Sequence, residues 1–314
     1  MRKIAFLFPG QGAQSVGMGQ AFAACSSELA DLFALADRVT GVALSQIMFQ
    51  GPEEQLTLTE NTQPAMLVTS LAAAQLFMQR TAIRADYVAG HSLGEYSAIA
   101  VAGGFSAEEA IRLVRLRGQA MQQAVPPGQG AMAAMLNMPA EQVQEVCQAA
   151  ALETSGICVP ANFNTAQQIV ISGHQFAVAR AVALAKERGA KRCMMLAVSA
   201  PFHCPLMQPA ADIMAQALQQ TAIADLSIPL VANVTAKEVR EGELIRRLLV
   251  EQVTGAVQWE AFIRRLQELG VGTYIELGNG KVLAGMIKRI DETARVFTIN
   301  TPEDVDKAAD QLNS

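Results

Sequence analysis

Short apolar runs stopped by glycine or proline alternate along the chain with longer stretches whose apolar residues recur at helical spacing. Residues 4–8 form the first such run, and Pro9-Gly10 ends it, which predicts a buried strand. A glycine-rich loop follows, Gly10-Gln11-Gly12-Ala13-Gln14-Ser15-Val16-Gly17. Helical patterns then dominate to about residue 80. Residues 87–89 read as a short strand and 95–102 as a helix. Gly90-His91-Ser92-Leu93-Gly94 is therefore expected at a strand-to-helix turn.

The middle of the chain has a different rhythm. Strands are expected at 131–136, 157–161, 168–172 and 192–198, with helices at 139–151 and 175–188. That order, β-α-β-β-α-β, is the ferredoxin-like split unit. Gly128-Gln129-Gly130 marks its entry and Ser199-Ala200-Pro201 its exit. The pattern predicts an α/β protein in which a small domain, residues 129–198, is inserted into a large domain of residues 1–128 and 199–314. Further strands are expected at 228–231 and 273–277, separated by helical pattern.

Residues 106–125 read as a helix with a capping box, Ser106 as N-cap and Glu109 three residues on. Its apolar stripe holds Ala110, Leu113, Val114, Met121 and Ala124, and Arg117 falls in the middle of it. A core-facing guanidinium is costly unless paired. It is either half of a buried ion pair or a grip for a ligand carboxylate.

Composition narrows the class. The 314 residues are 51% hydrophobic and 17% charged, enough to bury a sizeable core as one large domain with an insertion, or as two domains. A net charge of −5 argues against nucleic acid as the main partner. The five cysteines form no C-x-x-C pair, which fits a reducing cytoplasm better than a disulfide framework or a zinc site. The apolar run at 4–8 is too short for a signal peptide, and no stretch is apolar enough to span a membrane.

Gly90-His91-Ser92-Leu93-Gly94 matches G-x-S-x-G, in which flanking glycines let neighbouring backbones close around a serine on a sharp turn. The helix after it points its N–H groups at the site. A serine nucleophile needs a base. Of the three histidines, His91 is the neighbour of Ser92 and is expected to point elsewhere, and His174 reads as a helix start. His203 remains, in Ser199-Ala200-Pro201-Phe202-His203-Cys204. No acid between Ser92 and His203 stands in a recognisable motif, so the group that orients His203 stays open. A nucleophilic serine and a core-facing arginine together suggest an acyl group that carries its own carboxylate. The dinucleotide fingerprint fails at Ser15, the P-loop pattern fails at Val282, and no spacing suggests a metal.

Phe8-Pro9-Gly10-Gln11-Gly12, Gly90-His91-Ser92-Leu93-Gly94-Glu95 and Ala200-Pro201-Phe202-His203 resemble the malonyl-CoA:acyl-carrier-protein transacylases of type II fatty acid synthesis. Asn162-Phe163-Asn164, Val257-Gln258-Trp259 and Glu276-Leu277-Gly278 do too, in order, from Phe6 to about Arg289. The resemblance implies Ser92 as nucleophile, His203 as base and Gln252 as acceptor of the histidine's hydrogen bond. It implies an oxyanion hole from the N–H groups of Gln11 and Leu93, a malonyl carboxylate on Arg117, and Gln63 and Asn162 in the acyl pocket. It further implies an α/β-hydrolase-like large domain with a ferredoxin-like insertion, malonyl-CoA as donor, and no metal or bound cofactor. The implied acceptor is an acidic, phosphopantetheinylated acyl carrier protein, which Lys191, Arg192, Lys288 and Arg289 would attract. The chain departs from the family at Asn279, where proline is common, and at Gly255-Ala256, where Asn-Pro is usual.

Other readings use the same residues. An acyltransferase serving a polyketide synthase or a malonate decarboxylase differs only in its acceptor. A thioester or lipid hydrolase would not need Arg117, and a non-catalytic carrier-binding protein would not need both Ser92 and His203.

Overall fold

The computed structural model describes residues 3–198 and 200–313; Ser199 of the expected exit marker, and positions 1, 2 and 314 of the expected large domain, lie outside the described residues. Among the described residues, ten strands form two sheets. The larger contains β1 (Lys3–Phe8), β2 (Tyr87–Gly90), β7 (Leu230–Val231), β8 (Glu238–Val239), β9 (Val271–Leu277) and β10 (Arg295–Ile299). Their order is β10-β9-β1-β2-β7-β8, parallel throughout except for β8. Parallel sheets need cover on both faces, and β1 shows it. Phe6 and Phe8 enter one core cluster while Ala5 and Leu7 enter the other. Helices Thr59–Arg80 and Ala107–Gln123 build the first cluster, and Trp259–Glu268 and Val282–Ile290 the second.

The second sheet contains β3 (Gly130–Leu136), β4 (Cys158–Thr165), β5 (Gln168–His174) and β6 (Arg192–Met195), in the antiparallel order β4-β5-β3-β6. Helices Ala140–Thr154 and Gln175–Glu187 complete the expected element order. They cover one face of the sheet, where Ala133 and Met135 are buried. The period of two turns Met132 and Ala134 the other way, toward Val170, Leu196, Val198 and Phe202. An isolated bridge, Asn162 with Val257, ties β4 to the segment that follows helix Gly242–Thr254.

Some expected boundaries move for physical reasons. The strand expected at 192–198 ends at Met195; the Leu196 N–H still donates to the Met132 carbonyl at 2.9 Å, and 196–198 line a cavity. The strand expected at 228–231 keeps only Leu230–Val231. β8 and β10 were not legible: β8 is two residues long, and β10 is a half-exposed edge strand with a short apolar pattern.

One close approach decides where Arg117 lies. A Cβ on Gly118 would come within 2.7 Å of Glu60 Cα and of the Thr59 carbonyl, so glycine lets the two helices meet backbone to backbone. In an open helix, Gly118→Ala would gain about 1 kcal/mol from propensity. Here it is expected to lose on the order of 1–3 kcal/mol through overpacking. A denaturant-unfolding midpoint above that of the wild type would overturn this packing account.

Candidate active site

The Ser92 turn sits at the end of β2, beside the end of β1, with Phe8 and Gly90 in register. Glycines make the turn possible. A Cβ on Gly90 would fall on the Gly94 carbonyl, and one on Gly94 would fall on the Phe8 carbonyl. Ser92 takes φ 53°, a left-handed value unusual for a side-chain-bearing residue, and leads into helix Gly94–Val101.

His203 also has a left-handed backbone, at φ 58°. Its Nε2 lies 2.7 Å from Ser92 Oγ. Its Nδ1 faces two backbone carbonyls, Gln252 at 2.9 Å and Gly255 at 3.1 Å. Carbonyls only accept, so Nδ1 carries the proton and Nε2 is left free to take one from Ser92. The missing acid is thus replaced by main-chain oxygens, and Gly255 serves although it departs from the family pattern. Burial, with help from Arg117, pushes the imidazole down to about 3, so it is neutral at ordinary pH.

Arg117 is 1% exposed. Its Nη1 donates to Gln63 Oε1 at 2.9 Å, and its Nη2 donates to Gln252 Oε1 at 2.8 Å and Ser92 Oγ at 3.1 Å. The guanidinium also lies over the Tyr96 ring, 5.7 Å from its centre. These partners are neutral, so the ion-pair alternative is not what its contacts show. Nε is buried with no hydrogen-bond partner among the described residues.

A cavity of about 230 Å³ joins these groups. Gln11, Leu93, Gln63 and Asn162 line it with Ser92, Arg117 and His203, and Met132 and Phe202 supply apolar wall. Gln252 reaches the same place through its side chain and carbonyl. The basic residues stand apart. Lys191 and Arg192 are exposed at the start of β6, while Lys288 and Arg289 are exposed in the last turn of Val282–Ile290. Lys288 Nζ donates to the Ala294 carbonyl at 2.6 Å.

Several neighbours of the site carry little or no signal in the sequence. His91 does point away from Oγ, with Nε2 2.9 Å from Asn164 Oδ1, yet it lines the cavity and packs on Trp259. Asn233 accepts from the Ser92 N–H at 2.8 Å, and Glu95 is buried beside it. Glu95 had a signal, a carboxylate in an otherwise apolar helix start. Asn233 sits in a loop and had none.

This arrangement can hold an acyl group as an ester on a serine, and residues 5–299 match the family model of the acyl transferase domain. Relatives narrow the class. The malonyl CoA-acyl carrier protein transacylase of Bacillus subtilis is 43% identical over 99% of this chain and 98% of its own, and that of Escherichia coli is 42% identical over 96% and 97%. The solved transacylase of Coxiella burnetii superimposes with a TM-score of 0.96 at 38% identity, covering 100% of this chain and 98% of that one. A malonyl-transacylase solved with its type II polyketide carrier protein gives 0.95 at 40% identity, over 98% and 99%. The chain belongs to the malonyl CoA-acyl carrier protein transacylase family.

A buried cation whose hydrogen-bond partners are neutral is costly to keep in the fold. Arg117→Met is therefore expected to leave the thermal midpoint equal to or above the wild-type value. A fall of more than about 5 °C, roughly 3 kcal/mol for a chain of this size, would mean that the arginine is there for stability.

Proposed function

We propose that this chain moves the malonyl group of malonyl-CoA to the phosphopantetheine thiol of acyl carrier protein, supplying extender units for fatty acid biosynthesis. The observation that carries the reading is a buried guanidinium 3.1 Å from the nucleophilic hydroxyl. A carboxylate joined to the reacting carbonyl by a short spacer can pair with Arg117 while that carbonyl meets Ser92 Oγ.

The reaction runs in two halves. His203 Nε2 takes the proton of Ser92 as Oγ attacks the thioester carbon. The N–H groups of Gln11 and Leu93 hold the oxyanion, and the C–S bond breaks. Coenzyme A leaves as the thiol, with the proton from His203. The carrier's thiol then gives its proton to His203 and attacks the ester carbon; the C–O bond to Ser92 breaks and His203 returns the proton to Oγ. Gln63 and Asn162 border the acyl group. The acyl bond is already activated as a thioester, so the chemistry calls for no metal or bound cofactor.

We read the architecture as an α/β-hydrolase-like large domain, 1–128 and 199–314, with a ferredoxin-like domain of residues 129–198 inserted. The strand order of each sheet supports this reading. No single helix among the described residues is long and apolar enough to cross a membrane. A cytoplasmic location is part of the reading, supported by five free cysteines.

Intact-mass measurement after mixing with malonyl-CoA is expected to show one malonyl adduct, absent in Ser92→Ala and much reduced in Arg117→Met. An adduct that survives Ser92→Ala contradicts the mechanism. We further assign carrier docking to Lys191 and Arg192, with Lys288 and Arg289. Arg188 nearby is already paired with Glu145 at 2.8 Å. Charge reversal at Lys191 and Arg192 is expected to raise KM for carrier protein about tenfold at low salt and leave that for malonyl-CoA unchanged. Equal KM values for the carrier would remove these residues from the docking surface.

A further inference from the structure

Glu95 takes no part in the steps above, yet it is 1% exposed and sits in the first turn of the helix behind the nucleophile. Its two oxygens serve two different residues. Oε1 accepts from the Asn233 backbone N–H at 2.9 Å, and Oε2 accepts from Gln252 Nε2 at 2.5 Å. Each of those residues grips the main chain of Ser92. Asn233 Oδ1 accepts from its N–H at 2.8 Å, and Gln252 Nε2 donates to its carbonyl at 2.9 Å. Asn233 Nδ2 also donates to the Gly90 carbonyl at 2.7 Å, on the near side of the turn.

The grip falls where it is needed. A non-glycine residue held at positive φ is strained and persists only when its surroundings over-determine it. Gln252 has a second duty that depends on the same carboxylate. With Nε2 turned toward Glu95 and Ser92, Oε1 must face Arg117, where it accepts at 2.8 Å. A reversed amide would set its N–H groups against the guanidinium.

We infer that Glu95 and Asn233 are positioning residues for acyl transfer: the ionised Glu95 carboxylate locks Asn233 and the Gln252 amide, which hold the Ser92 turn and aim Arg117 at the acyl carboxylate. This rests on Ser92 being the acylated residue.

The lock requires ionisation, because both oxygens accept and a protonated carboxyl would turn a donor toward a donor. Burial pushes Glu95 up to about 7, opposed by the Asn233 and Gln252 hydrogen bonds and by Arg117. Arg117, from helix Ala107–Gln123, is the cation acting on it. Tyr96 on its own helix is neutral, with its phenol pushed up by burial, and His91 in the turn is pushed toward the neutral form by burial. Glu60 on helix Thr59–Arg80 is paired with Arg115, and Glu251 beside Gln252 is exposed. Burial and Arg117 hold His203 well below its ordinary range, and the Glu95→Gln variant separates an acid limb of Glu95 from one of the base. As pH falls through that region, Glu95 gains a proton, the lock opens and the rate falls.

The test is the single-turnover rate of Ser92 acylation by malonyl-CoA and by acetyl-CoA, from about pH 5 to about pH 9. The wild type is expected to lose rate below a midpoint at about 7. Glu95→Gln keeps the shape but places a donor against a donor. It is expected to slow malonyl transfer about 100-fold and acetyl transfer about 10-fold, with no acid limb. Acetyl loses less because it does not use Arg117. A Glu95→Gln rate within about threefold of wild type, or an unchanged acid limb in that variant, overturns the inference. If the variant does not fold, the wild-type profile alone decides, since a rate that stays flat to about pH 5 excludes the lock. A wild type that forms no adduct at any pH rejects the proposed function itself, which is a different result from either.

Discussion

Arg117 is carried into the core on the apolar face of its helix and meets amide oxygens there instead of a carboxylate. An uncompensated buried cation is an unfavourable element of a fold. Its surroundings are arranged to make it tolerable without neutralising it. Two glutamines turn their oxygens to it, an aromatic ring lies under it, and Glu95 acts from one residue further away. The positive charge therefore remains available to an anion that enters the cavity. The same charge helps keep His203 neutral.

The second constraint is steric. Ser92 and His203 both carry left-handed backbones, and they meet with Oγ and Nε2 2.7 Å apart. Neither conformation is held by its own local sequence alone. Glycines at 90 and 94 remove the side chains that would block the serine turn, and Asn233 and Gln252 fasten it from distant parts of the chain. The histidine is held by carbonyls at the end of helix Gly242–Thr254. Part of the second sheet then closes the cavity, because β3 turns Met132 toward it while the same strand turns Met135 to its own helices. Ser92, His203 and Arg117 thus come from separate segments of the chain.

Much of this was legible in residue order. The G-x-S-x-G turn, the capping box on the Arg117 helix and the β-α-β-β-α-β order are local patterns, and their periods and stop signals survive folding nearly unchanged. Arg117 stood out because a charge interrupted an apolar stripe. Glu95 could have stood out for the same reason. What was illegible had no local period. β8 and β10 are short or half-exposed at the sheet's edge. Asn233 is one asparagine in a loop, and the carbonyls of Gln252 and Gly255 are main-chain atoms that every residue possesses.

By itself, then, the sequence determined which residues could do chemistry: a serine that glycines allow to turn sharply, a histidine without a nearby acid, and an arginine placed against its own preference for water. Tertiary structure decided how they act. It set the proton on His203 Nδ1 by offering only acceptors there. It chose neutral partners for Arg117, and it joined Glu95 to Ser92 through two amides. The reason is physical. Side-chain type and periodicity are encoded residue by residue, whereas hydrogen-bond direction and burial depend on segments more than a hundred positions apart.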